Sequence, residues 1–125
     1  MKLLLDTHIL LWWLAADRRL PVRGREAIAA ADNLVFISAV SGWEIAIKKA
    51  IGKLNAPDNL AGMLAENQFL ELPLRLAHAE QLARLPDIHQ DPFDRMLVAQ
   101  AMQENLTLVT HDPQLTRYPV ETFLV

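Results

Sequence analysis

The chain contains no cysteine. That absence excludes a disulfide framework, a thiolate zinc site and a cysteine nucleophile together, and leaves the chemistry to oxygen and imidazole. Glycine is scarce, four in 125 residues, and none stands in a phosphate-cradling loop. Neither Ser38 nor Ser41 has a Gly-x-Ser-x-Gly setting, so acyl transfer and nucleoside-triphosphate chemistry both fall away. No apolar run reaches the ~18 residues that span a bilayer. The opening MKLLLDTHILLWWLAADRR carries an acid and a histidine inside what would be a signal core, the expectation for a mature cytosolic start with no membrane attachment.

Hydrophobic residues make up 52% of the chain and mean hydropathy is +0.13. This is slightly richer than an average soluble domain and fits a sheet buried on both faces, or a chain that keeps a partner. A length of 125 residues suits one core and predicts a single catalytic domain over residues 1–125. Net charge is −3 with a pI of about 5.7, which argues against holding nucleic acid by bulk positive charge. Cation binding at four carboxylates would reverse that sign, and the basic residues are clustered, with Arg18, Arg19, Arg23 and Arg25 in one segment and Lys48, Lys49 and Lys53 in another. Each cluster alone reads first as a solvated face and second as a phosphate contact.

Short apolar runs at Lys2 to Leu5, Leu34 to Ile37, Phe69 to Leu72 and Leu106 to Val109 predict buried strands, and Val120 to Val125 an edge strand. Helical spacing occupies the intervals: His8 to Ala16, Val22 to Ala31, Val40 to Leu54, Asn59 to Asn67, Leu74 to Leu85 and Phe93 to Glu104. The alternation predicts an α/β fold, a mainly parallel central sheet of four to five strands flanked by helices on both faces. The prolines fall almost entirely at these boundaries, where a missing N–H costs least.

Four acids, Asp6, Glu44, Asp94 and Asp112, each fall where strand character hands over to a helix or just inside that helix. In a parallel sheet such handovers share one edge, so distant carboxylates converge there. Converged carboxylates repel unless a cation lies between them, and hard oxygen ligands suit Mg²⁺ or Mn²⁺. Asp94 lies near the middle of the helical stripe Leu97, Val98, Ala101 and Met102, with Arg95, Gln100, Gln103 and Glu104 opposite. A carboxylate facing a core is costly unless paired, protonated or bound to metal. Simpler roles exist for each acid. Asp91 before Pro92 makes a good helix cap with Asp94 in the first turn, Asp112 before Pro113 can cap, and Thr7 can cap in place of Asp6. Glu44 sits on the margin of the stripe Trp43, Ala46, Ile47, Ala50, Ile51 and Leu54, with Lys48 placed for a surface pair. His8, His78, His89 and His111 offer a competing set of metal ligands, but no pair has helical zinc spacing, and His8 and His111 stand near proposed acids as candidates to support them.

In order and spacing, LLLDTHILLWWL, ISAVSGWEIAIKKAIGKL, DPFDRMLVAQA and LTLVTHD resemble the PIN-domain ribonucleases of the VapC toxin type over essentially the whole chain. The resemblance implies a PIN-like three-layer fold and an acidic quartet at Asp6, Glu44, Asp94 and Asp112, with Asp91 outside it. His8 stands where many members carry asparagine. The implied reaction is metal-assisted hydrolysis of RNA, leaving a 5′-phosphate and a 3′-hydroxyl. One or two Mg²⁺ or Mn²⁺ ions would be held chiefly by Asp6 and Asp94, with Glu44 and Asp112 completing the shell. The resemblance also implies a cognate antitoxin, a homodimer and a cytoplasmic location. Leu10, Leu11, Trp12, Trp13 and Leu14 form a band too continuous for one buried helical face, which places at least one tryptophan against another chain. Two rival readings stay open: a non-catalytic PIN-like binding module whose acids are caps, and an aspartate-nucleophile phosphatase using Asp6, for which the neighbouring second acid is missing.

Overall fold

The computed structural model describes residues 1–125. Five strands, β1 (Lys2–Leu5), β2 (Leu34–Ser38), β3 (Leu70–Leu72), β4 (Thr107–Thr110) and β5 (Thr122–Leu124), pair in the order β3-β2-β1-β4-β5. Every pairing is parallel. The helices are α1 (Thr7–Leu14), α2 (Val22–Ala29), α3 (Ala39–Ala50), α4 (Leu60–Glu66), α5 (Leu76–Leu82) and α6 (Pro92–Glu104), and a 3-10 turn covers Pro113–Arg117. The chain first builds outward from β1 to β3, then returns to lay β4 on the other side of β1. That reversal opens a crevice beyond the carboxyl ends of β1 and β4, the usual ligand position in an open parallel sheet.

Strand alternation divides the core. Leu3, Leu5, Val35, Ile37 and Val109 face one cluster with Ile9, Leu10, Ile28 and Leu64 from α1, α2 and α4. Leu4, Leu108 and Leu72 face the other, with Leu97, Val98 and Ala101 from α6. Residues of opposite parity thus meet helices on opposite faces, which explains why the strands read as unbroken apolar runs. The predicted three-layer α/β architecture is what the chain forms. No helix is long and apolar enough to cross a membrane.

Several boundaries and faces differ from the sequence expectation. Helix α3 ends at Ala50 and not Leu54, because Gly52 takes φ +74° and turns the chain away. Its buried face carries Val40, Ser41, Glu44 and Ile45, whereas Trp43, Ala46, Ile47 and Ile51 are exposed. The apolar stripe read from the sequence therefore points outward, and Glu44 inward. Gln100, placed on the polar side of α6 by its helical wheel, is fully buried and accepts a hydrogen bond from Ser38 at 2.5 Å. Burial of an amide costs little once it is paired. The two indoles of α1 are used within the chain. Trp13 donates to Asn67 at 3.0 Å and packs near Phe69, while Trp12 packs edge-on to His111. The tryptophan left exposed is Trp43.

Leu108 has no exposed surface and sits in the central strand pair under α6. Truncating it leaves a void that rigid neighbours fill poorly, so Leu108→Ala should lower unfolding free energy by about 2–5 kcal/mol. Urea denaturation followed by far-UV circular dichroism measures this; a loss below ~1 kcal/mol would contradict the packing described.

Candidate active site

Asp6 follows β1 directly and itself caps α1, the role the sequence also allowed to Thr7. One carboxylate oxygen accepts the Ile9 N–H at 2.9 Å and the other accepts the Thr110 hydroxyl at 2.6 Å. Burial pushes its pKa up, partly offset by these two bonds. Asp112 closes the loop after β4 and caps the 3-10 turn through Gln114 N–H at 2.9 Å. Its own N–H donates to the Thr110 hydroxyl at 3.0 Å, so one threonine ties Asp6 to Asp112. Capping and site membership, alternatives on sequence grounds, coincide at both residues.

Asp94 reaches the site by a different route. Its helix is entered from the loop after α5 and not from a strand, correcting the idea that all four acids sit at strand-to-helix handovers. Helix α6 leads into β4, so its first turn lies at the carboxyl edge of the sheet all the same. Asp91 caps it, accepting from Phe93 N–H at 2.9 Å and Asp94 N–H at 3.1 Å. The Asp94 carboxyl accepts no hydrogen bond from the chain and its pKa is pushed up to about 7, first by burial and then by Asp91, Asp6, Glu44 and Asp112. Those contributions are the electrostatic signature of converged acids.

Glu44 is buried and doubly pinned, accepting from the Thr7 hydroxyl at 2.6 Å and from Lys48 Nζ at 2.5 Å. Thr7 also makes a hydroxyl contact with Ser41 at 3.0 Å. The Glu44–Lys48 pair is thus partly buried, not the surface pair expected. The Lys48 pKa is raised by Glu44 above all, with Asp91 and Asp94 adding.

A cavity of about 290 Å³ is lined by Asp6, His8, Trp12, Asp94, His111 and Asp112. Three of the four acids, and both histidines singled out beside them, therefore share one wall-to-wall space, with Glu44 set behind it. The His111 ring is held by the Val125 carbonyl through Nδ1. The group whose ligating atoms lie within 4.8 Å of one another is Asp94, Asp112 and His89. Asp6, expected as a principal ligand, falls outside that group, its two oxygens accepting from Ile9 N–H and the Thr110 hydroxyl.

Thr110 was not picked out by the sequence reading, Thr7 was read only as a helix cap, and His89 only as one of four histidines available as metal ligands. The threonines could have been found as hydroxyls adjoining buried strand ends beside acids. His89 carried no comparable signal, since its approach depends on the loop fold. Its Nε2 is buried with no hydrogen-bond partner. The unbonded carboxyl of Asp94 and the carboxyl of Asp112 make an oxygen donor set that fits Mg²⁺ or Mn²⁺, with the orphaned His89 nitrogen standing beside it.

Comparison with known proteins agrees with this architecture. A family model described as PIN domain matches residues 3–121. Ribonuclease VapC22 of Mycobacterium tuberculosis is 32% identical over 120 residues, covering 90% of this chain and 88% of that protein. Among solved structures, VapBC2 from Rickettsia felis bound to a DNA fragment from their promoter aligns with a TM-score of 0.76 at 18% identity, over 99% of this chain and 98% of that one. VapBC-1 from nontypeable Haemophilus influenzae aligns with a TM-score of 0.64 at 16% identity, over 99% and 98% of the two chains. At such identities the structural matches speak to fold alone.

Asp94 binds its proton more tightly folded than unfolded, having moved from 3.8 to about 7. Its contribution to stability is complete below pH ~4 and is lost as pH rises through ~7. Without divalent ions, Asp94→Asn should flatten this fall and raise Tm at pH ~8, by roughly 4 °C for each ~1 kcal/mol of relieved repulsion. Thermal melts of both proteins in chelator across that range test it; a steeper fall in the variant would refute the assignment.

Proposed function

The chain belongs to the PIN domain family, and from that premise we propose that it is a divalent-metal-dependent endoribonuclease, one nuclease domain over residues 1–125, acting as the toxin of a toxin–antitoxin pair. The observation that carries the reading is the shared cavity of Asp6, Asp94 and Asp112, in which Asp94 cannot easily hold a charge at neutral pH without a cation. Kinship with a ribonuclease supplies the substrate class, and neighbours described as VapBC supply the toxin–antitoxin setting.

Asp94 and Asp112 are the residues best placed to hold the ion. Asp6, held by its two bonds, lines the same cavity, and Glu44, paired with Lys48, is near enough to raise the pKa of both Asp6 and Asp94. A bound Mg²⁺ or Mn²⁺ would lower the pKa of an attacking water and balance charge on the scissile phosphate. Attack by water, not by the ribose 2′-hydroxyl, leaves a 5′-phosphate and a 3′-hydroxyl. Trp12, His8 and His111 line the same cavity beside the acids.

The surface offers a candidate face for a partner chain. Trp43 and Ile47 on α3 and Ile51 at its C-cap are all exposed, an apolar strip suited to protein contact. We assign this strip to a homodimer or to the cognate antitoxin, and place the assembly in the cytoplasm.

Asp94→Asn keeps the shape of the side chain and removes its charge. Loss of groups that merely support metal ligands costs ~10 to 100-fold, so loss of a ligand should reduce RNA cleavage by at least about 100-fold while the circular dichroism spectrum is kept. Cleavage of end-labelled RNA by wild type with Mn²⁺, with chelator, and by the variant provides the measurement. Undiminished cleavage by Asp94→Asn, or in chelator, would overturn the proposal.

A further inference from the structure

Tyr118 lies behind the cation-binding group, and its hydroxyl is crowded. It receives Arg95 Nη1 at 3.1 Å and the His89 backbone N–H at 3.4 Å, and stands 2.7 Å from His89 Nδ1. Arginine and peptide N–H groups are donors only, and a hydroxyl has two acceptor positions and a single hydrogen. With both acceptor positions engaged, that hydrogen is directed to Nδ1. The ring must then carry its own hydrogen on Nε2, the buried nitrogen that has no partner. Its nearest carboxylate oxygen is Asp94 Oδ2 at 3.6 Å. Arg95 is itself fixed, donating to the Pro86 carbonyl at 2.9 Å and lying 6.0 Å from the centre of the Tyr118 ring. The chain Arg95, Tyr118, His89 thus ends on the one acid of the cavity that no other donor reaches.

We propose that His89 is a positioning residue, held by Tyr118 and Arg95 as the Nε2–H tautomer so that it donates to Asp94 and turns that carboxylate toward a cation shared with Asp112. The gap of 3.6 Å is longer than a hydrogen bond, and a small rotation of the ring and the carboxylate would close it. Carboxylate ligands held by such outer donors bind metal more tightly than free ones. The inference rests on the metal-dependent reading above.

Long-range proton–nitrogen NMR of the imidazole in metal-free protein reads the tautomer directly, with the signal assigned by its loss in His89→Gln. The expected result is Nε2–H in wild type and a tautomer mixture in Tyr118→Phe, which keeps the buried ring and removes the hydroxyl. Calorimetric titration with Mn²⁺ should show affinity reduced about ten-fold or more in His89→Leu, with most of it restored in His89→Gln, whose amide N–H can replace Nε2–H. An Nδ1–H tautomer or an imidazolium in wild type overturns the inference, as does unchanged Mn²⁺ affinity in His89→Leu. Wild type that binds no Mn²⁺ at all would defeat the metal-dependent reading as well, so the two failures are distinguishable.

Discussion

Desolvation of one carboxyl group, Asp94, governs the rest of the site. A charge at this position is opposed by burial and by four neighbouring acids, and nothing in the chain donates a hydrogen bond to it. In the low effective dielectric of such a cavity, repulsion between like charges is felt well beyond contact distance. Folding tolerates the arrangement because the acids are treated unequally. Asp6 and Glu44 are each held by two donors, Asp112 is half-satisfied as a cap, and Asp94 alone is left for whatever enters. The fold itself is ordinary hydrophobic layering. What it adds is a place where electrostatic cost is concentrated in a group that a cation can relieve.

The topology explains why this happens at one point. β1 and β4 are neighbours although most of the chain lies between them, and Thr110 on β4 bonds directly to Asp6 after β1. Helix α6 is antiparallel to the strand it precedes, so its start meets the ends of the others. Helix α3 bridges the layers, giving Val40 to one core and Ile45 to the other, and its remaining inward positions are free to carry Ser41 and Glu44. An apolar strip is left facing outward on the same helix, so one element carries both a buried acid of the site and an exposed apolar face.

Much of this was legible in the sequence. Strand identity came from short apolar runs ended by polar residues, and the start of α6 from Asp91 before Pro92, whereas the cap of α1 was read as Thr7 and is Asp6. The parallel three-layer arrangement followed from their alternation. Legibility failed where tertiary contact overrides pattern. The face of α3 was read from its longest apolar stripe, but Glu44 is stabilised inside by Thr7 and Lys48, partners invisible to periodicity. Gln100 was read as solvent-facing, yet Ser38 from another element satisfies it. The tryptophans of α1 looked surplus because Asn67, Phe69 and His111, which occupy them, are remote in the chain. His89 was not singled out among the four histidines because no local motif marks a loop histidine folded back onto a helix.

Proton release on cation binding tests the central claim most directly, since an ion that occupies the Asp94 carboxylate must displace the proton held there. Calorimetry of Mn²⁺ binding in buffers of differing ionisation heat should show about one proton released per ion at pH ~6, falling toward none near pH ~8.5 as the group of pKa about 7 empties. Binding without proton release at the lower pH, with release unchanged across the range, would mean that the ion sits elsewhere and that the acid cavity is not its site.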